Sequence, residues 1–444
     1  MAIVSTAAAY LPLVLATSAL AVGASWWALV FPRIAIWFLA VSVIVGQLVR
    51  VPVLGQGGGV LLSDIAAVVV IGAGLLKWKQ RTAPLPSAVV LSISLVAPFI
   101  IWSLGSLLIN VDSLPPSGSS VALLYWLRTS TYILLIPVLG FLASDTRYRR
   151  ELHRGLVVVV AVLIGLGFLQ LVLASDLSFL SQYGWDPHQR RLVSSWLDPN
   201  FMGAFFLIVL PWLAVQAKNN WKYAALAAVT LIALLATQSR SSLVALAAVA
   251  GVAFPFIVWA LPQKFPAVWQ RISVIAVVIN LVIMMFVGGV FLLGGRAGGF
   301  VRHDPTVVLR TESFSLAWQR VVQPNTLLGV GYNAYQFAAA ETGLIGDFSL
   351  HSRAGADNSW VTLWATTGVL GMLLFALPWA VAAMYLGLRA VRRADWIAGA
   401  GPLAILGLFV HSQFVNSFLY AHLLIALAVV VVLSFPSYVT ADYS

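Results

Sequence analysis

An all-α, polytopic membrane protein is the fold class that this 444-residue sequence predicts, and three observations carry it. Hydrophobic residues make up 61% of the chain and charged residues 9%, where a soluble protein would carry about 25% charge. Apolar runs of spanning length recur from one end of the chain to the other. These runs are continuous rather than alternating in polarity, which excludes a transmembrane β-barrel built from strands of about ten residues.

In chain order the expected spans are 10–31, 34–49, 60–76, 88–109, 121–143, 154–176, 199–217, 221–237, 241–261, 272–294, 359–388, 397–413 and 417–434. That makes thirteen, or twelve if the first two form one tilted or re-entrant unit. Trp26, Trp27, Trp78, Trp212, Trp221 and Trp396 fall near the proposed ends, where interfacial anchors belong. The chain then divides into transmembrane helices over 1–294, a long, partly helical outer loop over 295–358, and C-terminal transmembrane helices over 359–444. Within the long loop, Leu309, Phe314, Leu316, Ala317 and Val321 recur at helical spacing, so an amphipathic helix near the membrane surface is expected over 307–322. A shorter outer segment runs over 177–198.

Sidedness follows from the basic loops. Lys77-Trp78-Lys79-Gln80-Arg81, the cluster Arg147, Arg149, Arg150 and Arg154, and the cluster Arg389, Arg392 and Arg393 alternate onto one side, which the positive-inside rule makes cytoplasmic. The C-terminus then also lies inside. The net charge of +11 suits anionic lipid head groups and an anionic substrate. It does not suggest nucleic acid, because the basic residues are scattered between spans. Cysteine is absent, so disulfides and thiolate metal sites are excluded. The first charge is Arg33, and a cleaved signal peptide is not expected.

The two cations are not distributed alike. All five lysines (Lys77, Lys79, Lys218, Lys222 and Lys264) fall on the cytoplasmic side, whereas the outer side carries arginine only. Guanidinium grips phosphate with two parallel hydrogen bonds and keeps its charge when desolvated. The outer face is therefore expected to handle a phosphorylated or acidic ligand.

Five constellations sharpen that expectation. Arg190-Arg191 precede Asp198-Pro199-Asn200, which can cap the outward start of a span. A helix N-terminus beside arginine is a ready anion site, and the plainer reading is a cap with interfacial arginines. Thr237-Gln-Ser239-Arg240-Ser241-Ser242 reads as a tight outer hairpin, with Arg240 facing a cavity or snorkelling to the surface. Arg128 lies inside a span, so it faces a cavity or pairs with Asp112 or Asp64. Arg310 and Glu312 are two apart and pair poorly on a helix, leaving Arg310 for a ligand. The glycines of Leu328-Gly-Val-Gly-Tyr-Asn form no nucleotide fingerprint and read as a loop lying close on its neighbours. Finally, His351-Ser-Arg353 leads to Asp357-Asn358 at the outward start of a span, as a helix cap or as a general base. Outer carboxylates are too sparse and unclustered to suggest a catalytic metal.

Together these motifs resemble the bacterial O-antigen ligase and O-antigen polymerase superfamily of integral-membrane glycosyltransferases, over roughly residues 120–390. The likeness rests on Arg191 with Asp198-Pro-Asn-Phe, Ser239-Arg-Ser-Ser, Arg310 with Glu312 and Trp318, Leu328-Gly-Val-Gly-Tyr-Asn, and Asn358 followed by nine residues and Gly368. The resemblance implies a polyprenyl (undecaprenyl) diphosphate-linked oligosaccharide donor and a glycan or glycolipid acceptor. It also implies membrane lipid around the chain, no cofactor and no metal. Diphosphate or substrate would be held by Arg191, Arg310, Arg240, Arg128, Arg190, Arg353 and Asn358. The implied location is the bacterial inner membrane, with the active site facing the periplasm. Where the family's ligase motif has histidine before the asparagine, this chain has Asp357, with His351 six residues earlier; these two are the candidate catalytic residues. The competing class is a lipid-linked glycan transporter, a flippase, which would place its cations deep in a cavity reaching both sides.

Overall fold

The computed structural model describes residues 30–53, 58–82, 84–183, 185–260, 314–342 and 355–436. Helices dominate. In order they are α1 (Pro32–Val45), α2 (Leu62–Lys79), α3 (Ser87–Ile109), α4 (Pro116–Ala143), α5 (Thr146–Leu173), α6 (Pro199–Ala217), α7 (Trp221–Ala236), α8 (Arg240–Ala260), α9 (Tyr335–Glu341), α10 (Ser359–Arg393), α11 (Trp396–His411) and α12 (Ala421–Ser434). A two-stranded antiparallel ribbon, Arg50–Val53 with Gly58–Leu61, joins α1 to α2. Among the described residues, five helices are long and apolar enough to cross a membrane, and five shorter ones are also apolar. An all-α polytopic chain is thus the architecture. The expected spans 10–31 and 272–294 lie outside the described residues or nearly so, as do residues 295–313 and 343–354 of the long outer loop.

The helices form because a bilayer leaves the backbone no partner but itself. Their starts are marked by side-chain caps: Asp145, Asp198, Asn220, Asn358 and Asp395 each accept backbone N–H bonds at the N-terminus of α5, α6, α7, α10 and α11. Three-residue turns make α6, α7 and α8 an antiparallel series. Every residue of α12 is buried. It packs against α4, α5, α6 and α11 and forms the centre of the bundle, as a helix apolar all round should. Of the helix expected over 307–322, the described part is helical: residues 314–317 lead into a π-helical turn, Trp318–Val322. Its Ala317, Val321 and Val322 are buried with Tyr335, Ala339 and Val361.

One helix is broken on purpose. Gly368 has φ +69° and divides α10 into two pieces. Into that gap lies the Leu327–Gly331 loop, with Gly329 at φ +73°. A Cβ on Gly329 would strike the Thr366–Gly368 backbone, and one on Gly368 would strike the Leu327 carbonyl. The carbonyls that the break orphans are satisfied: Val330 N donates to Ala365 O (2.8 Å), Gly331 N to Thr366 O (3.1 Å), and Trp102 Nε1 to Thr367 O (2.8 Å). The nine residues between Asn358 and Gly368 are therefore the first segment of α10, from cap to break. This also accounts for the glycines as a closely seated loop.

Candidate active site

At the end of the bundle where α4, α6, α10 and α12 begin, a polar cavity of about 360 Å³ opens. Its walls come from far apart in sequence: Tyr125 and Thr129 of α4, the 185–201 segment, Tyr332 and Asn333, Gly355 and Asp357, Thr362 and Thr366, and the 415–420 turn. The broken α10 matters here, because the loop that fills it carries Tyr332 and Asn333 to the cavity wall. Tyr332 donates to Thr129 Oγ1 at 2.7 Å, and burial pushes its phenol up to about 12. Tyr420 stacks on Phe201 with ring centroids 4.0 Å apart, forming one aromatic side of the site.

Asp357 lines this cavity with φ +51°, a backbone region that aspartate tolerates better than most residues. It does not cap α10. Asn358 does, accepting from Trp360 N (2.9 Å) and Val361 N (3.2 Å) while its Nδ2 donates to Gln413 O (3.0 Å). The two readings of Asp357-Asn358 thus fall on different residues, the cap on Asn358 and the cavity carboxylate on Asp357.

Asp198 caps α6 through Asn200 N (2.6 Å) and Phe201 N (3.3 Å) and also faces the cavity. Burial raises its carboxyl above the usual range, against the pull of those two bonds. Arg191 lies beside it. Its Nε donates to Thr237 O (2.9 Å) and its Nη2 to Asn200 Oδ1 (3.4 Å). Ser239 Oγ donates to the same Asn200 oxygen (3.1 Å), and Ser242 Oγ donates to Ser239 Oγ (2.9 Å). Ser241 Oγ bonds His411 Nε2 (3.0 Å), whose Nδ1 bonds Ser417 Oγ (3.0 Å). Two constellations that are separate in sequence, joined through Ser239 and Ser241 to His411 and Ser417, are one network in space around Asn200.

The remaining sequence-derived candidates scatter. Arg240 and Arg190 are exposed, and Arg190 is fixed through its backbone, N to Ser175 O at 2.7 Å. Arg128 is occupied by Asp64, with Nε to Oδ1 at 2.9 Å and Nη2 to Oδ2 at 2.6 Å, and it also donates to the Gly59 carbonyl. Of the two carboxylates proposed for it, Asp64 is the partner. Its guanidinium carbon sits 4.8 Å from the centre of the Tyr125 ring, so it supports the cavity wall from behind. Arg310, Arg353 and His351 lie outside the described residues. Among the described residues, no three His, Cys, Asp or Glu side chains gather as a metal ion would require.

Sequence reasoning missed His188, Asn416 and Tyr420. A histidine between Asp186 and Arg190 in a short outer loop was the one signal available. Asn416 and Tyr420 carried none, since only the fold brings the turn before α12 to the site.

Residues 225–376 match a family model described as O-Antigen ligase. This segment runs from within α7 to within α10, and so includes Ser239 to Ser242, the Leu328-Gly-Val-Gly-Tyr-Asn loop, Asp357, Asn358 and Gly368. Arg191, Asp198 and His188 precede it. A comparison with curated proteins found no match. The O-antigen ligase segment, on a chain of apolar helices, supports a membrane glycosyltransferase of the O-antigen ligase and polymerase type.

Proposed function

We propose that the chain moves a glycan from a polyprenyl diphosphate to an acceptor hydroxyl at the periplasmic face of a bacterial inner membrane, as a surface-glycan polymerase or ligase. The observation that carries this reading is the meeting of Asp357, the capped start of α6 and the Arg191–Asn200 contact around one polar cavity, in a chain with an O-antigen ligase segment.

Arg191, together with Arg190, Arg240, Arg310 and Arg353, holds the diphosphate. Asp357 takes the proton of the acceptor hydroxyl as its oxygen attacks the anomeric carbon. The leaving group is already activated, so charge stabilisation by fixed guanidinium groups is what the reaction needs, without a metal ion. The periplasmic assignment follows from the basic ends of α2, α5 and α10, which the positive-inside rule puts in the cytoplasm, opposite the cavity. A cavity confined to one end of the bundle favours transfer over translocation, which needs access from both sides.

The test is the purified chain in lipid nanodiscs, supplied with polyprenyl-diphosphate oligosaccharide and an acceptor in excess chelator. Glycosylated acceptor and free polyprenyl diphosphate are the expected products. Translocation of the donor in vesicles with no transfer would favour the flippase. Transfer that is lost in chelator and restored by Mg²⁺ or Mn²⁺ would overturn metal independence alone.

A further inference from the structure

The geometry points to a further catalytic residue, His188: we infer that, with donor bound, its imidazolium hands a proton to the diphosphate oxygen as the sugar departs. This rests on the transfer reading above and adds a leaving-group acid to it.

The ring is placed by its backbone. Leu177 N donates to His188 O at 2.9 Å, Asp176 and Gln189 form a bridge, and Arg190 N donates to Ser175 O at 2.7 Å. The side chain is buried against protein yet lines the polar cavity. Its nitrogens take no hydrogen-bond partner among the described residues. A ring fixed by its backbone, with no side-chain partner among the described residues and open to a cavity, is available to a group that enters.

The charged groups around it define what enters. Asp198, Asp186, Asp357, Tyr332 and Tyr420 line the same cavity, and Arg191 reaches its wall through Asn200 Oδ1 at 3.4 Å. Arg191 meets Asn200, and Asn200 lines the same cavity as His188, so an anion held by Arg191 enters the space that His188 faces. Without ligand, burial holds His188 below the usual histidine range; Asp198 pulls it back up, Arg191 lowers it again by less, and Asp186 adds the smallest offset. A bound diphosphate brings negative charge into the cavity that the imidazole faces. The imidazolium is then favoured, and donor binding takes up a proton.

The step balances. The anomeric C–O bond breaks and its electron pair goes to the diphosphate oxygen, which takes the proton from His188. The acceptor oxygen bonds to the anomeric carbon and its proton passes to Asp357. One proton has then moved from acceptor to diphosphate. Between turnovers Asp357 releases its proton to water and His188 takes one up when the next donor binds, so the cycle consumes no net proton.

The experiment uses the full chain in nanodiscs and undecaprenyl diphosphate as probe, by calorimetry near pH 7.5 in two buffers of different ionisation enthalpy. Wild type is expected to take up close to one proton on binding, and H188Q and H188N to take up none. In turnover, H188Q is expected to lose about a hundredfold in kcat with little change in donor KM, and to lose the basic limb of the pH profile. Binding by wild type without proton uptake would overturn the inference before any variant is made. So would uptake that persists in a folded H188Q or H188N, or turnover in either at the wild-type rate. A wild type that binds undecaprenyl diphosphate but never transfers a glycan from the oligosaccharide-loaded carrier would sink the transfer reading itself, which is a separable result.

Discussion

Among the described residues, two sizeable cavities lie at opposite ends of the bundle, and the smaller of them is the one with chemistry in it. The larger, about 600 Å³, lies between the start of α3 and the ends of α4, α10 and α12. Its lining is mostly apolar, and Arg149 is the one charged residue there. That guanidinium already serves the fold, donating to Leu433 O (2.6 Å) and Phe435 O (2.7 Å) at the end of α12. The cavity at the opposite end, about 360 Å³, gathers Asp357, Asp198, Asp186 and His188 with several amide and phenol groups. Volume reports where helices fail to fill space; converging polar groups held against their solvation preference report a site. Substitutions at the two ends should therefore fail in different ways.

The largest effect is expected at Asp357. Asparagine keeps its shape but takes no proton, and the cap of α10 belongs to Asn358, so Asp357→Asn should fold normally. Turnover should fall by about 10²–10⁴, the usual contribution of a positioned base. Near-normal turnover, with collapse in His351→Ala instead, would move the proton to His351. Next comes Arg191→Lys, which keeps the charge but loses the planar fork and the contacts to Thr237 O and Asn200 Oδ1. A loss of about tenfold or more in kcat/KM is expected, since about 1.4 kcal/mol is tenfold. The same loss is expected of Arg310→Lys. Donor kinetics at wild-type level in both variants would remove bidentate phosphate binding from the scheme.

Arg149→Met tests the other end. It leaves the carbonyls that close α12 without their donor, and about 1–3 kcal/mol of stability should go with it. Specific activity per folded molecule should not change. A variant that melts normally but transfers slowly would break the contrast between the two ends.

Much of this architecture was readable because it rests on local rules. Spans such as 88–109, 199–217 and 397–413 fall within about two residues of Ser87–Ile109, Pro199–Ala217 and Trp396–His411, since apolar length alone decides them. Asp198 as a cap is equally local. What pairs across space was not readable. Asp64 and Asp112 were equivalent partners for Arg128 until the ribbon and α2 placed Asp64 beside it. The spacing from Asn358 to Gly368 had no physical meaning until the Leu327–Gly331 loop was seen filling the break it defines. His188 was passed over because a lone histidine has significance only through neighbours that the fold supplies.

The smallest expected effect sets His188 against Asp198 in the ligand-free protein. Burial lowers the histidine in the folded state, so below its unfolded value of about 6.5 the unfolded chain binds the extra proton more readily. Stability should therefore be intact above about pH 6.5 and decline as pH falls through the lowered folded value. Asp198 runs the other way. Its raised carboxyl protonates first in the folded state, so it adds stability as pH falls through its folded value towards about 3.9. Melting temperatures of wild type and H188Q between about pH 7 and pH 5 separate the two. Wild type should lose stability across that window, and H188Q should lose less or hold level. If the two curves run parallel, His188 exchanges protons with solvent as an ordinary surface histidine would, and the cavity's charge balance must be assigned to its aspartates alone.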